Sequence, residues 1–260
     1  MIEAPGHVLV TGAAGAIGAA LARAMRRAWP TTRLALVDRD AHAMTPLASE
    51  LGRATTYGCD LGHLDTLPAL VADIARERPV DGLVNCAGIM RVQHVASWTW
   101  SAASELLAVD LLAPLRLQDL VVRGMLEGGQ RRGLVINIAS MAGKVALRGC
   151  AYYGAAKAGL AMASEIARAE LAARGIRVLT VYPGLVRSRL EQGARDGWGG
   201  GGLLGRIAPR GEATELAERI MTALERDEAR VIYPRLYNVG WSATNLARWF
   251  ALSYGPPPVT

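Results

Sequence analysis

The stretch VTGAAGAIGAALARAM, from Val10 to Met25, contains three glycines spaced three residues apart. It continues the apolar run HVLV and leads into an alanine-rich helical pattern. Gly12, Gly15 and Gly18 therefore fall in a turn between a strand and a helix, where glycine permits tight turning and close backbone approach to a phosphate. The unsatisfied N–H groups and the dipole of the helix start favour the same negative ligand. We interpret the stretch as a dinucleotide-binding turn rather than as a glycine-tolerant helix.

Short apolar runs alternate with helical patterns along the rest of the chain. Runs that are apolar throughout indicate burial on both faces of a parallel sheet, and strand–helix alternation indicates right-handed crossovers. The predicted strands cover 7–12, 33–38, 55–60, 81–88, 133–140 and 176–184, with 230–233 as a further candidate, and the predicted helices cover 16–28, 62–77, 97–128 and 151–174. We predict one α/β domain over residues 1–260, a doubly wound parallel sheet of the Rossmann type with helices on both faces.

The composition favours a soluble protein of a reducing compartment. Of 260 residues, 51% are hydrophobic and 20% are charged. No run reaches the roughly 18 consecutive apolar residues of a membrane-spanning helix, and the N-terminus does not resemble a signal peptide. The three cysteines are widely spaced and form no CxxC pair, which argues against disulfides and against a zinc site. We expect a cytoplasmic protein without a bound metal and without membrane contact.

The net charge of +6 does not by itself indicate nucleic-acid binding. The basic residues are scattered singly and reach only doublets, at 26–27 and 131–132, and no basic stripe with interleaved aromatic residues is present. We expect a solvated basic surface and no nucleic-acid partner.

Tyr153 and Lys157 are four residues apart in YYGAAKAG and therefore share one face of a predicted helix. A free tyrosine, with a pKa of about 10, is a poor acid or base at neutral pH. Because an ammonium stabilises a phenolate, we expect Lys157 to bring the pKa of Tyr153 towards the working range. Ser140 ends a predicted strand, at the sheet edge where ligands of such folds bind. A serine donor and a tyrosine acid can together polarise a carbonyl, or orient an alcohol, for hydride exchange.

Asp38 closes the second predicted strand, twenty positions beyond Gly18. A carboxylate there would accept hydrogen bonds from both hydroxyls of an adenosine ribose and would repel a 2′-phosphate, which favours NAD over NADP. Arg39 beside it could partly reverse this choice. We expect NAD as the cofactor, with NADP as the alternative.

From about His7 to Leu190 the sequence resembles the short-chain dehydrogenase/reductase family in its short, single-domain form. The stretch TGAAGAIG (11–18) is similar to the family's glycine motif, with Ala16 where many members have the middle glycine. Three further motifs match. CDL (59–61) resembles the adenine-contacting Asp-Val/Leu, NCAG (85–88) resembles Asn-Asn-Ala-Gly with Cys86 as the second residue, and YPGLVRS (182–188) resembles Pro-Gly-x-Val-x-Thr with Ser188 at the threonine.

The resemblance implies both a catalytic set and a set of cofactor-binding residues. Ser140, Tyr153 and Lys157 match the family's catalytic positions, and Lys157 would also bind the nicotinamide-ribose hydroxyls. The cofactor-binding positions are Gly12, Gly15, Ala16, Ile17, Gly18, Asp38, Arg39, Asp60, Leu61, Asn85, Ala87, Gly88, Tyr153, Lys157, Pro183, Gly184, Val186 and Ser188.

Asp110, in AVDLLAP (108–114), departs from the family pattern. The family usually has an asparagine there that helps to hold a proton-relay water, partly through a backbone carbonyl that Asp110 retains. The carboxylate lacks the amide donor and could add negative charge near Lys157. We place Asp110 in the catalytic set and expect an active enzyme with an altered pH profile. Asp110→Asn should leave turnover similar or higher, and a loss of about a hundredfold or more would contradict this assignment.

We expect residues 91–100 and 187–210 to border the substrate pocket in this architecture. His94, Trp98 and Trp100 are candidates for its wall, although a tryptophan at a helix start is more often a packing residue. The glycine-rich stretch GWGGGG (197–202) is either a flexible surface loop or part of a substrate lid over 187–210.

The C-terminal tail, residues 238–260, carries several large apolar residues on a predicted amphipathic helix. They are Trp241, Leu246, Trp249, Phe250 and Leu252. In order of preference, the tail is an oligomer interface, a lid over a lipophilic pocket, or a weak membrane-surface contact. The helical patterns around 104–128 and 151–174, of which the second is rich in alanine, allow close helix approach, and the resemblance implies a homodimer or homotetramer.

We predict an NAD(P)-dependent oxidoreductase that interconverts a secondary alcohol and a ketone, both small molecules. The apolar tail and the tryptophans favour a lipophilic substrate. The alternative is a non-catalytic, dinucleotide-sensing protein on the same fold, for which Asp110 is the only support in the sequence. Dehydration or epimerisation on the same scaffold would need a different pocket rather than a different motif.

Overall fold

The computed structural model describes residues 3–129, 132–198, 209–256 and 258. Its strands are β1 (His7–Thr11), β2 (Arg33–Asp38), β3 (Ala54–Gly58), β4 (Gly82–Asn85), β5 (Gly133–Ile138), β6 (Ile176–Pro183), β7 (Leu185–Val186), β8 (Arg210–Gly211) and β9 (Arg230–Tyr233). Within the described residues, seven of these strands form one parallel sheet in the order β3-β2-β1-β4-β5-β6-β9. β7 and β8 form a separate parallel pair.

Helices connect the strands. They are α1 (Ala16–Ala28), α2 (Thr45–Leu51), α3 (Leu67–Glu77), α4 (Trp100–Leu107), α5 (Ala113–Glu127), α6 (Ala151–Leu171), α7 (Arg189–Gly197), α8 (Ala213–Glu225), α9 (Tyr237–Ser242) and α10 (Thr244–Tyr254). A π-helical turn, Ala108–Leu112, joins α4 to α5, and a short 3₁₀ turn, Met141–Gly143, follows β5.

The sheet is covered on both faces, as the uninterrupted apolar strands predict. In β1, Val8 and Val10 belong to one buried apolar cluster together with α1 and α8, through residues such as Leu21 and Ile220. Leu9, between the two valines, belongs to the opposite cluster, with α3 and α5. Successive strand side chains point to opposite faces, so every position of β1 is buried. The predicted doubly wound, Rossmann-type fold is confirmed.

The strand order reverses at β1, which pairs with β2 on one side and with β4 on the other. The loops after β1 and β4 therefore leave the sheet in different directions and open a crevice at its carboxyl edge. This topological switch point is where ligands of open α/β sheets bind. It is also where the candidate site lies.

The single helix predicted over 97–128 is wrong. The structure divides it into α4, the π-helical turn and α5. Proline lacks an N–H, so Pro114 cannot donate the i→i−4 hydrogen bond that an α-helix would direct to the carbonyl of Asp110. The N–H of Ala113 instead reaches the carbonyl of Ala108, five residues earlier. Asp110 thus lies in an irregular turn, of a kind that is frequent at functional sites.

Other predicted boundaries shift by a few residues, and some elements were not predicted. The strand over 81–88 ends at Asn85, because the next two N–H groups donate to the side chain of Thr11 instead of continuing the ladder. The candidate strand 230–233 is present as β9. Helices α2, α7 and α8 were not predicted from the sequence.

Candidate active site

The glycine turn between β1 and α1 packs directly against the segment that follows β4. Gly12 has a φ of +66°, and a Cβ on it would lie 2.7 Å from the Cα of Ala87. A Cβ on Gly18 would lie 2.2 Å from the carbonyl oxygen of Gly12. Side chains are therefore excluded at both positions, and helix α1 closes tightly onto the sheet.

The start of α1 is open to a ligand. Gly15 precedes the helix in an extended conformation, and no side chain caps the first turn. Ala16 is exposed and Ile17 is partly buried. Uncapped N–H groups at a helix start attract anions through hydrogen bonding and the helix dipole. The turn therefore has the backbone geometry that a pyrophosphate requires.

Asp38 lies beside this turn, at the end of β2. Its carboxylate accepts hydrogen bonds from the N–H of Ala14, at 3.0 Å, and from the N–H of Arg39, at 2.8 Å. The side chain of Arg39 is exposed next to it. Asp60 is also exposed, and its carboxylate accepts a hydrogen bond from the N–H of Gly62, whereas Leu61 is buried. The two carboxylates predicted to contact an adenosine thus lie at the ends of neighbouring strands, Asp38 as the last residue of β2 and Asp60 two residues after β3.

Thr11, which the sequence analysis did not select, ties β1 to the end of β4. Its hydroxyl donates to the carbonyl of Val84 at 3.2 Å and accepts from the N–H groups of Cys86 and Ala87. These bonds fix the backbone that borders the glycine turn. The only sign in the sequence is that Thr11 is polar at the end of an apolar strand.

Asn85 points into the protein rather than into the crevice. Its side-chain amide donates to the side-chain oxygen of Asn137 at 2.9 Å and to the carbonyl of Pro114 at 3.1 Å. Asn137 donates in turn to Ser164, which accepts a further hydrogen bond from Thr180. Only the backbone of Asn85 can therefore face a ligand, because its side chain belongs to a buried polar chain that links three strands to α6.

Ser140, Tyr153 and Lys157 meet at the carboxyl edge of β5, and all three are buried. The hydroxyl of Ser140 accepts a hydrogen bond from the N–H of Ala142 and lies close enough to Tyr153 to lower the pKa of its phenol. The ammonium of Lys157 lies 5.9 Å from the centre of the Tyr153 ring. The i,i+4 spacing therefore places the phenol and the ammonium side by side, with the serine hydroxyl against the phenol.

Asp110 joins this group from the π-helical turn. One carboxylate oxygen accepts a hydrogen bond of 2.7 Å from the N–H of Ile89, and the other lies 3.2 Å from the Lys157 ammonium. The ammonium also donates to the carbonyl of Ile138 at 3.3 Å. The Asp110 side chain has no exposed surface. The negative charge anticipated near Lys157 is therefore in direct contact with it.

Burial dominates the ionisation of Tyr153, contrary to the expectation from sequence. Burial raises the pKa of Tyr153 above its ordinary value, and the opposing effect of Lys157 is too small to reverse this. The charge of Asp110 raises the pKa of Tyr153 further. Burial also raises the pKa of Asp110, although Lys157 partly offsets it. For Lys157, burial lowers the pKa, but Asp110 and Tyr153 outweigh it and leave the pKa raised.

The segment after β6 borders the same site. Pro183 accepts a hydrogen bond from Ser140 through its carbonyl. Gly184 is packed under Tyr237, because a Cβ there would lie 2.4 Å from the tyrosine ring. Val186 is buried, and the hydroxyl of Ser188 accepts from the N–H of Glu191 at 3.1 Å, which caps α7. Ser188 thus has a structural partner in addition to its predicted ligand.

An apolar cluster packs around Tyr153. It includes Ile89, Leu147, Trp98, Tyr152 and Trp198. Trp98 and Tyr152 contact edge to face at 5.0 Å. Trp98 belongs to the segment 91–100 and Trp198 to the segment 187–210, both of which were predicted to border a substrate.

Two other wall candidates lie elsewhere. Trp100 is 71% exposed at the start of α4. His94 is exposed and caps a short turn by accepting from the N–H of Ala96. Neither contributes to the apolar cluster around Tyr153.

The predicted lid, 187–210, is described only in part, since residues 199–208 lie outside the described residues. Its base is closed by the pairing of β7 with β8. A polar cavity of about 450 Å³ opens there, lined by Arg187, Ser188, Glu191, Gln192, Arg195, Asp196 and Arg210.

The C-terminal tail is anchored through Trp241. Its ring stacks edge to face on Tyr182 at 4.7 Å, with the Lys144 ammonium 4.5 Å and the Arg230 guanidinium 5.1 Å from its centre. The remaining apolar residues of the tail, Leu246, Trp249, Phe250 and Leu252, are exposed. None of the described helices is both long enough and apolar enough to cross a membrane. In the same described part of the chain, no cluster of three or more His, Cys, Asp or Glu side chains is suited to a metal ion.

The sequence is similar to those of known dehydrogenases. A D-threitol dehydrogenase of Mycolicibacterium smegmatis is 35% identical over 210 residues, which cover 79% of this chain and 75% of the relative. An inactive 2-(S)-hydroxypropyl-CoM dehydrogenase 2 of Xanthobacter autotrophicus is 34% identical over 170 residues, which cover 65% of this chain and 72% of the relative.

A solved dehydrogenase structure is similar over almost the whole chain. A short-chain dehydrogenase from Sphingobium yanoikuyae, in complex with NADPH, superimposes with a TM-score of 0.77 and 27% identity, covering 95% of both chains. The model of the short chain dehydrogenase family matches residues 6–197. On this match, and on the fold and residues described above, the chain belongs to the short-chain dehydrogenase/reductase family.

Proposed function

We propose that this protein is an NAD(P)-dependent oxidoreductase that interconverts a secondary alcohol and a ketone. One observation carries the proposal: Ser140, Tyr153 and Lys157 form a buried group at the carboxyl edge of the sheet, beside an uncapped glycine turn. A proton donor and a hydroxyl that can hold a carbonyl oxygen are the groups that hydride exchange requires from a protein.

The residues fit a dinucleotide. Gly12 and Gly18 let the turn pack closely, because a Cβ at either position would overlap neighbouring backbone, and the open start of α1 suits a pyrophosphate. The Sphingobium protein, similar over nearly its whole length, binds NADPH. We propose that Lys157 and Tyr153 hold the nicotinamide end and that Pro183, Gly184, Val186 and Ser188 border it. Such a cofactor would supply a hydride to a ketone or accept one from an alcohol.

Tyr153 is the proposed acid and base. It donates its phenolic proton to the ketone oxygen during reduction and accepts the hydroxyl proton during alcohol oxidation. Ser140 donates a hydrogen bond to the same oxygen, and the positive charge of Lys157 stabilises the phenolate that reduction leaves behind. Because burial keeps the pKa of Tyr153 above its ordinary value, the phenol is protonated at neutral pH, which is the form that reduction uses.

Asp38 supports NAD as the preferred cofactor. Its carboxylate lies beside the glycine turn, where a 2′-phosphate would meet its negative charge. Arg39 is adjacent and exposed, so NADP remains the alternative. Dissociation constants for NAD and NADP, in the wild type and in Asp38→Asn, test the preference. We expect Asp38→Asn to lose at least about tenfold in the NAD/NADP affinity ratio, since one repulsive charge is removed. Asp40→Asn, two residues away, is the matched control.

The apolar cluster around Tyr153 supports a lipophilic substrate. Within this proposal the chain acts as one catalytic unit over residues 1–260, with the 187–210 segment covering the substrate. The exposed apolar face of α10 and the alanine-rich α6 support self-association as a dimer or tetramer.

A non-catalytic, dinucleotide-sensing role is the second candidate. The similar Xanthobacter protein is described as inactive, so this scaffold also occurs without turnover. The intact Ser140–Tyr153–Lys157 group of the present chain argues for activity.

An ultraviolet screen for NADH or NADPH formation, across secondary alcohols of graded size and polarity, separates the two roles. The corresponding ketones are tested with the reduced cofactors. We expect turnover with at least one alcohol–ketone pair. Tight dinucleotide binding without turnover on any pair would favour the sensing role, and no dinucleotide binding would remove both.

A further inference from the structure

Asp110 and Lys157 form an ion pair that is closed off from solvent. The carboxylate–ammonium distance is 3.2 Å, and neither side chain is more than 5% exposed. Gly88 packs over the pair, since a Cβ there would lie 3.2 Å from Asp110 Oδ2 and 3.3 Å from Lys157 Nζ. A buried charge pair of this kind is screened far less than one at the surface.

The pair is held from several elements. The N–H of Ile89, after β4, fixes one carboxylate oxygen at 2.7 Å, and the carbonyl of Ile138, in β5, accepts from the ammonium at 3.3 Å. The carboxylate comes from the π-helical turn. In that turn the carbonyl of Asp110 has no N–H donor four residues later, because residue 114 is a proline. The ammonium is thus anchored by two acceptors, on the side of α6 that also carries Tyr153.

Other ionisable groups near the pair are uncharged at neutral pH. They are Tyr153, Cys86 and Cys150. Burial raises the pKa of the Cys86 thiol and that of the Cys150 thiol to about 12. The charges that act on the Tyr153 phenol from the described residues around it are therefore those of Lys157 and Asp110, and they have opposite sign.

On the basis of the proposed function, we propose that Asp110 is a positioning residue that holds the Lys157 ammonium in place and offsets its charge, so that the protein reduces ketones at neutral pH and oxidises alcohols efficiently only in alkaline solution. An uncharged residue at this position would leave the ammonium free to stabilise the phenolate. The carboxylate therefore sets the direction in which the site works at a given pH.

The first test compares pH profiles of the full-length wild type and Asp110→Asn. The substitution keeps the shape and removes the charge. We expect the profile of kcat for alcohol oxidation to move at least about one pH unit towards acid, because a nearby buried charge acts on a phenol with this strength. Ketone reduction should begin to fail at correspondingly lower pH. Asp119→Asn, which removes a partly exposed carboxylate on α5, should leave both profiles in place.

The second test does not depend on turnover. The absorbance of tyrosinate is titrated in the wild type and in Tyr153→Phe, and the difference reports Tyr153 alone. The same difference is measured with Asp110→Asn in both backgrounds, or with Asp110→Ser if the asparagine variant does not fold. We expect the Tyr153 transition to fall by at least about one pH unit without Asp110.

The two tests separate the inference from the function on which it rests. Coincident Tyr153 transitions with and without the carboxylate would overturn the role of Asp110, whatever the activity. A displaced transition in a protein that turns over no alcohol or ketone would uphold the charge coupling and remove the proposed function.

Discussion

At the scale of single residues, contact distances decide what the candidate site tolerates. Gly18 has no room for a side chain, because its Cβ would overlap the carbonyl of Gly12. At Gly124, in α5, a Cβ would meet no atom within 4 Å. Substitution by alanine should therefore affect stability in opposite directions at the two glycines.

Gly18→Ala should lower the free energy of unfolding by about 1–3 kcal/mol, because backbone atoms must move to admit the methyl group. It should also weaken dinucleotide binding by at least about tenfold, since the shift distorts the turn. Denaturant unfolding and calorimetric titration measure the two effects. Gly124→Ala should instead be neutral or stabilising by up to about 1 kcal/mol, as alanine is the better helix former. Equal responses of the two variants would contradict the description of the turn.

The sequence predicts which residues meet more reliably than it predicts their ionisation. The spacing of Tyr153 and Lys157 and the strand end at Ser140 predict a common site, and the structure brings the three together. The sequence does not predict that burial would outweigh Lys157 in setting the pKa of Tyr153, because burial depends on distant parts of the chain. The buried hydrogen bonds between the side chains of Asn85 and Asn137 could not be predicted from the sequence for the same reason.

At the scale of elements, the strands and the first helix follow from local pattern. β2 and α1 have the predicted bounds, since each has a continuous apolar run or stripe ended by a turn. The π-helical turn was not predicted, because the helical apolar pattern runs through 97–128 without a break. Pro114 was the available signal, since a proline removes one helical hydrogen bond.

The short helix α9 is attached to the catalytic region through Trp241. The ring contacts Tyr182, Lys144 and Arg230, and Lys144 follows the 3₁₀ turn that Ser140 caps. Tyr237, in the same helix, fills the space above Gly184. The tail therefore supports the backbone on two sides of the site.

Trp241→Ala should lower the free energy of unfolding by about 1–3 kcal/mol through lost aromatic and cation–π contacts. It should also make the tail more accessible to proteases, because α9 loses its anchor. Limited proteolysis and thermal unfolding provide the measurements. Trp100→Ala, at an exposed position, should change stability by no more than about 0.5 kcal/mol. If the tail of Trp241→Ala remained as protected as in the wild type, the anchoring role would be wrong.

At the scale of the whole molecule, two thiols make folding sensitive to alkaline pH, that of the buried Cys150 and that of the partly buried Cys86. Burial raises the pKa of Cys86 and of Cys150 from 9.0 to about 12. A group whose pKa is raised by folding contributes stability that is fully present below its unfolded pKa. That stability is lost as the pH rises through the folded pKa.

The free energy of unfolding should therefore fall between about pH 9 and pH 12, with each thiol contributing about 1.4 kcal/mol per pH unit. Cys150→Ala should flatten this decline by about the share of one thiol, as measured by denaturant unfolding at successive pH values. Cys59→Ala, at a partly exposed thiol, should flatten it less. An unchanged slope in Cys150→Ala would show that this thiol is not buried as described.

The proposed function depends on Tyr153 being the group that exchanges a proton with the substrate. The most direct measurement is single-turnover formation of NADH or NADPH from an alcohol, in the wild type and in Tyr153→Phe, with dinucleotide binding measured on the same samples and Tyr254→Phe as the control. We predict that Tyr153→Phe binds the dinucleotide but loses at least about a hundredfold in the hydride-transfer rate. A Tyr153→Phe protein that transfers hydride as fast as the wild type would contradict the account.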